Sequence, residues 1–267
     1  MWLAACSLAA GLLLTGCTTV PVTGRHELNL VSADEEMALG LSSFDQMKKD
    51  TPASHEAMAN GMVERVGSRL AAVAGKDLPQ AKWEFVVFDS PEANAFCLPG
   101  GKVGVYAGIL PIAKTDAGLA TVLGHEIGHA VAHHGASRMS QAMVTQTGGQ
   151  VLGSAMSSSD PKWQSAAALA YGLGTKVGFE LPYSREQESE ADHIGLLLMA
   201  RAGYDPHAAV EFWARMERAS SGGGPPQFLS THPSHGQREQ QIQAWLPEAL
   251  RYYEAATRAP DEPLPHA

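Results

Sequence analysis

The strongest constraint on this chain is an apolar stretch with acid and base groups set into it. Ala117-Gly-Leu-Ala-Thr-Val-Leu-Gly124 runs without proline or charge into His125-Glu-Ile-Gly-His129-Ala-Val-Ala-His133-His134. This pattern predicts a buried helix over residues 116–134. Residues four apart lie on one face of such a helix, separated by about 6 Å along its axis. His125 and His129 can therefore share one metal ion. Glu126 sits about 100° round the helix, off the ligand direction but within reach of a water at the ion, which is the place of a general base. His133 lies about 12 Å beyond His125 and His134 points away from it, so both are left with capping or surface roles.

Two histidines do not complete a catalytic zinc site, which needs a third protein ligand. A histidine ten positions after His125 would mark the metzincin class, but Gly135 stands there. A carboxylate from another helix is the remaining solution, and Ser184-Arg-Glu-Gln-Glu-Ser-Glu-Ala-Asp192-His-Ile-Gly195 offers three glutamates. Ser184 with Gln187 reads as a capping box that opens a helix. On that helix Glu188, Ala191, Asp192, Gly195 and Met199 share one face of small and apolar residues. Glu186 and Glu190 fall off it and are expected in solvent. Ala191 and Gly195, facing Gly128 and Ala132, permit a close approach of the two helices. Glu188 is thus the expected third ligand. Asp192, one turn later, is placed to accept the N–H of a ligating histidine.

The remainder of the chain reads as an α+β fold that is predominantly helical. Trp83–Phe88 and Lys102–Tyr106 are expected strands, so a small β-sheet precedes the histidine helix. Apolar residues make up 45% and charged residues 18%, a balance that supports a packed core. A net charge of −9 excludes a nucleic-acid partner that needs a basic face. Residues 1–16 are uncharged and apolar and read as a signal peptide of the lipoprotein type. Leu14-Thr-Gly-Cys17 resembles the bacterial lipobox, which makes Cys17 the expected lipidation site. No Lys or Arg accompanies Met1, a departure from the usual export signal. Residues 17–31 are expected to be a lipidated tether, residues 32–256 a single domain that carries the metal site, and residues 257–267 a disordered tail.

These motifs, together with Thr231-His-Pro233 and Arg238, resemble the gluzincins of metallopeptidase family 48, whose members include prenyl-protein proteases and HtpX-like heat-shock proteases. Pro21-Val-Thr-Gly-Arg25 and Asn94-Ala-Phe-Cys-Leu-Pro-Gly-Gly101 resemble segments of its lipoprotein branch. The resemblance implies a zincin-like domain with one Zn²⁺ per chain held by His125, His129 and Glu188. The family resemblance implies action on unfolded or misassembled envelope proteins, while Thr18, in place of Asp after Cys17, resembles the sorting signal of a Gram-negative outer-membrane lipoprotein facing the periplasm. The membrane is contacted through the lipid anchor alone, and the outer-membrane assembly machinery is a further expected partner.

Zincins hold substrate as an added strand. Gly101, Val103 and Val105 are the expected edge, with Asn94, Ala95 and Phe96 nearby; the alternative is an ordinary structural strand. For His232 the alternatives are a hydrogen bond to the reacting oxyanion, the fourth zinc position in a latent form, or a structural role. Arg238 is expected to orient that loop or to pair with a carboxylate. Two rival functions remain: a chaperone-like assembly factor that keeps the metal for structure, and a hydrolase of a non-peptide substrate.

Overall fold

The aromatic and β-branched run ending at Phe88 forms a strand, and the turn at Gly100 and Gly101 joins two further strands, the second of which runs parallel beside it. The computed structural model describes residues 17–176, 180–220, 226–233 and 237–263. In chain order the elements are β1 (Cys17–Thr19), β2 (His26–Leu28), α1 (Ala33–Asp50), α2 (Ala57–Ala74), β3 (Glu84–Phe88), β4 (Ala95–Leu98) and β5 (Lys102–Tyr106). A single turn α3 (Leu110–Ala113) leads into α4 (Asp116–Val131), α5 (His134–Ala155) and α6 (Pro161–Thr175). Then come α7 (Leu181–Arg201), α8 (His207–Ser220), the short α9 (Gln227–Thr231) and α10 (Arg238–Ala255). The fold is mostly helical with small sheets, as the residue patterns indicate.

The chain divides into two compact units. The smaller takes the described residues up to Ala33 together with His133–Gln187; the larger takes Asp34–Ala132 and the described residues from Glu188 onward.

In the larger unit the sheet order is β3-β5-β4. β5 pairs parallel with β3, Glu84 opposite Lys102, and antiparallel with β4, Ala95 opposite Val105. The expected edge is thereby corrected: Val103 and Val105 lie on the central strand, and Gly101 lies in the turn before it. The reason is the Pro99-Gly100-Gly101 turn, in which both glycines have positive φ (86° and 77°). It closes a tight hairpin that folds Ala95–Leu98 onto one side of β5. β3 and β4 are thus the edge strands, and β3 takes a bridge from Ala53 at Phe88, which leaves β4 as the open edge. Strand alternation puts Phe88, Phe96 and Tyr106 on one face, where Phe44 of α1 joins them. The opposite face carries Phe85, Val87, Val103 and Val105, together with Ala95 and Cys97 of β4, and α2 and α4 contribute contacts to β3 and β4 respectively.

Every residue of α4 is buried. Its N-terminus is held from three directions. Thr115 accepts from the Gly118 amide, and Arg65 makes two 2.8 Å bonds to Asp116. The expected disordered tail supplies the third. Asp261 Oδ1 accepts from the Ala117 amide at 2.8 Å, the Glu262 carbonyl accepts from the Asp116 amide, and Arg65 pairs with the Glu262 carboxylate at 3.1 Å. Residues 257–263 are thus docked, because acidic groups satisfy amides that a helix start leaves without partners. Asp261→Ala is expected to lower stability by about 1 kcal/mol, read from urea denaturation. An unchanged midpoint would show that the contact contributes nothing.

In the smaller unit, the expected irregular tether is a paired hairpin, β1 against β2, closed by a turn with Val22 and Gly24 at positive φ. Val20 and Glu27 are buried, Glu27 with Arg25 at 3.0 Å, and the Leu30 amide donates to Ser140 of α5. His133 adopts a left-handed conformation (φ 51°). The expected single helix therefore stops at Val131, and His134 opens the next one. His134 is buried, 3.5 Å from Arg25, and not at the surface as expected. Residues 1–16, the Gly222–Gly224 break, His235 and residues 264–267 lie outside the described residues. No described helix is long and apolar enough to cross a membrane.

Candidate metal centre

α4 and α7 meet backbone to backbone. A methyl group on Gly128 would lie 2.8 Å from the Ala191 carbonyl oxygen, and one on Gly195 would lie 2.7 Å from the Gly124 carbonyl carbon. Gly128, Ala191 and Gly195 are the expected small residues; Gly124 replaces Ala132 as the fourth. Neither side of this seam is a flexible side chain that can step aside. Gly128→Ala is expected to cost about 1–3 kcal/mol, measured by urea denaturation, because the helices must part. Wild-type stability in that variant would show that the seam tolerates a methyl group.

This contact brings Glu188 under the two histidines. His125 Nε2 and His129 Nε2 are 3.1 Å apart, and each is 3.4 Å from a Glu188 oxygen. His232 Nδ1 lies 3.2 Å from His125 Nε2 and 3.1 Å from Glu188 Oε2. All four side chains are buried, with their ligand atoms within 4.8 Å of one another. Donors about 2.0–2.2 Å from a tetrahedral zinc ion lie roughly 3.3–3.6 Å apart. The spacing and the donor types, imidazole nitrogen and carboxylate oxygen, fit zinc. His232 Nδ1 abuts two of the three donors that would hold the ion, His125 and Glu188.

The surroundings orient the donors. His125 Nδ1 lies 2.8 Å from Asp192 Oδ1, so the hydrogen sits on Nδ1 and the Nε2 lone pair faces the cluster. Arg238 Nε donates to Asp192 at 2.6 Å, its Nη2 to Glu188 at 3.1 Å, and its Nη1 to the His232 carbonyl at 3.3 Å. Arg238 thus does both things expected of it, tying the His232 loop and pairing with carboxylates. Its guanidinium lies 3.7 Å over the Trp213 ring. Burial opposes a second proton on His125, but the hydrogen bonds it donates to the Asp192 and Glu188 carboxylates outweigh it and lift its pKa to about 9, so an ion at Nε2 would displace a proton there. Burial likewise raises the Glu188 and Asp192 carboxyls, and is outweighed by the three histidines at Glu188 and by Arg238 and His125 at Asp192; both end below the usual carboxylate range. Paired charges of this density are what a buried ion site requires.

Glu126 is buried beside the cluster without joining it; its Oε1 lies 3.4 Å from His232 Nε2. Across from it stands Cys97, whose thiol is pushed up by burial and by the Glu126 charge. Of the expected edge residues, Asn94, Ala95 and Phe96 do lie at the open strand. The Tyr106 amide donates to the Asn94 carbonyl, so antiparallel alternation turns the main-chain groups of Ala95 and Cys97 outward, away from β5. Asn94 Oδ1 accepts from the Ala95 amide at 3.0 Å.

Glu190 is a correction: it is buried and not solvated, while Glu186 is exposed as expected. Residues missed in the sequence are Trp213 and Phe228, whose rings lie 5.7 and 5.8 Å from the His125 ring and form an apolar wall. Trp213 was legible as part of the apolar face of α8; Phe228, in a five-residue helix after a glycine run, carried no periodic signal. His193 bonds Glu248 and stacks on Trp245, and His207 pairs with Asp205, both apart from the cluster.

A model of peptidase family M48 matches residues 57–246. The chain is 39% identical over 236 residues to a mitochondrial metalloendopeptidase OMA1 of Schizosaccharomyces pombe, covering 86% of this chain and 66% of that one. It is 34% identical to the human metalloendopeptidase OMA1, covering 90% of this chain and 48% of that one. It is 28% identical to the beta-barrel assembly-enhancing protease of Escherichia coli, covering 80% and 44%. The chain therefore spans about half to two thirds of the length of these relatives.

Proposed function

Because the chain belongs to peptidase family M48, we propose that it is a zinc endopeptidase which cleaves unfolded or misassembled envelope proteins from a lipid anchor at Cys17 in the outer membrane. The observation that carries this reading is a buried carboxylate, Glu126, set beside a four-donor cluster without being part of it. A structural metal site needs no such group.

His125, His129 and Glu188 would hold the ion. Zinc bound there supplies Lewis acidity, lowering the pKa of a coordinated water and polarising the scissile carbonyl. Glu126 takes the proton of the attacking water and passes it to the leaving amine. Asp192 keeps His125 in the tautomer whose Nε2 can ligate, and Arg238 holds Asp192 and Glu188 in register. Of the roles open to His232, its Nδ1 at 3.1–3.2 Å from Glu188 and His125 favours the latent one. It stands where substrate would bind. An extended peptide would add to β4, taking hydrogen bonds from the outward main-chain groups of Ala95 and Cys97. Asn94 would release the Ala95 amide as the strand arrives.

The envelope setting is supported by the uncharged leader, the Leu14-Thr-Gly-Cys17 box and the Escherichia coli relative's name; the OMA1 relatives are named as mitochondrial. The chaperone-like alternative predicts no dependence on Glu126. Cleavage of casein by the zinc-loaded wild type and by Glu126→Gln separates the two, and equal rates would overturn the proposed mechanism.

A further inference from the structure

From Ala142 to Lys176 the smaller unit has no buried residue, although it consists mainly of two full helices, α5 and α6, packed on each other. Helices in water draw their stability from a buried apolar face. Here the apolar side chains point outward: Val151 is 64% exposed, Trp163 69%, Leu169 65% and Leu173 55%. Exposed helix faces are ordinarily charged. Between Met139 and Thr175, however, only Asp160 and Lys162 carry charge. The surface is built to be covered.

The polar groups of the hairpin indicate by what. Thr145 and Thr147 return their hydroxyl hydrogens to the Ala142 and Met143 carbonyls, Ser165 to Pro161 and Thr175 to Tyr171. The Tyr171 hydroxyl crosses to the Thr145 carbonyl at 2.9 Å, over Gly148. Polar groups satisfied within the hairpin suit contact with lipid, where no outside partner exists; a protein partner would use such groups across the interface. Arg138, Gln146 and Gln150 in α5 argue against crossing the bilayer.

We propose that the α5–α6 hairpin lies on a lipid bilayer surface, with Val151, Trp163, Leu169 and Leu173 at the acyl boundary. The position of the bilayer rests on the anchor reading: the uncharged residues 1–16 run into Cys17, the first residue of β1, and β2 of the same unit packs on α5. The peptidase reading is not needed.

The test adds the full chain to phosphatidylcholine vesicles with brominated acyl chains. Flotation reports anchoring, and the emission difference between wild type and Trp163→Phe isolates Trp163. The expected result is flotation with a blue shift and quenching of the Trp163 component. That quenching should be lost in Leu169→Ser/Leu173→Ser, exposed positions whose change leaves casein cleavage intact. Flotation without quenching overturns the docking and leaves the anchor standing; absence of flotation overturns both. Concentration-dependent dimers without vesicles, abolished by Leu169→Ser/Leu173→Ser, would overturn the proposal in favour of a second copy.

Discussion

Glu126→Gln is expected to reduce cleavage of casein by about 10²–10⁴-fold, with zinc still bound. The substitution keeps the size of the side chain and removes its ability to accept a proton. Because Glu126 lies beside the donor cluster without belonging to it, the ion should not notice the change. The measurements are kcat/KM and metal content on the same preparation. Near wild-type cleavage would remove Glu126 from the chemistry, and loss of zinc would mean that it ligates after all.

The largest effect on metal binding is expected from Glu188→Gln. An amide cannot replace the charge that faces His125, His129 and His232, and second-tier partners of a metal alone contribute about 10–100-fold in affinity. A direct ligand should contribute more than 100-fold. Arg238 keeps its 2.6 Å bond to Asp192 in this variant, so α7 and α10 stay tied and the loss reads as a ligand effect. Glu190→Gln is the control. It removes charge from a buried carboxylate on the same helix, outside the cluster, and should retain zinc. Titration against a chromophoric chelator decides; zinc loss confined to Glu190→Gln would reassign the third ligand.

Different parts of this fold are legible in the residues to different degrees. Spacing alone placed His125 and His129, because a helix converts sequence distance into angle without ambiguity. Helical-face periodicity distinguishes Glu188, which lies at the two histidines, but not Glu190, because α7 is covered on more than one side. Residues 190–200 are buried nearly all the way round, only His193 being partly exposed. Alternation identified the strand Lys102–Tyr106 and the turn before it, yet alternation carries no information on which strand lies in the middle. That depends on β3, a partner eighteen residues upstream in register, and on a four-residue strand too short to announce itself. The docked tail is illegible for a related reason. Its prolines and acidic residues have the composition of a disordered segment, and their partners are amides of a helix start more than a hundred residues earlier in the chain. His232 was reachable only through family resemblance, since a loop histidine has no periodicity to place it.

Where side chains separate two helices, rotamer changes let the gap widen or narrow as the surrounding core drifts. Where main chain touches main chain, the gap is fixed by atomic radii. The span from Glu188 to the two histidines is of the second kind, set at Gly124, Gly128, Ala191 and Gly195. The backbone spacing beneath the donors is therefore set by four positions that hold no donor atom. A search for variants that prefer a larger ion such as cadmium would begin at those four.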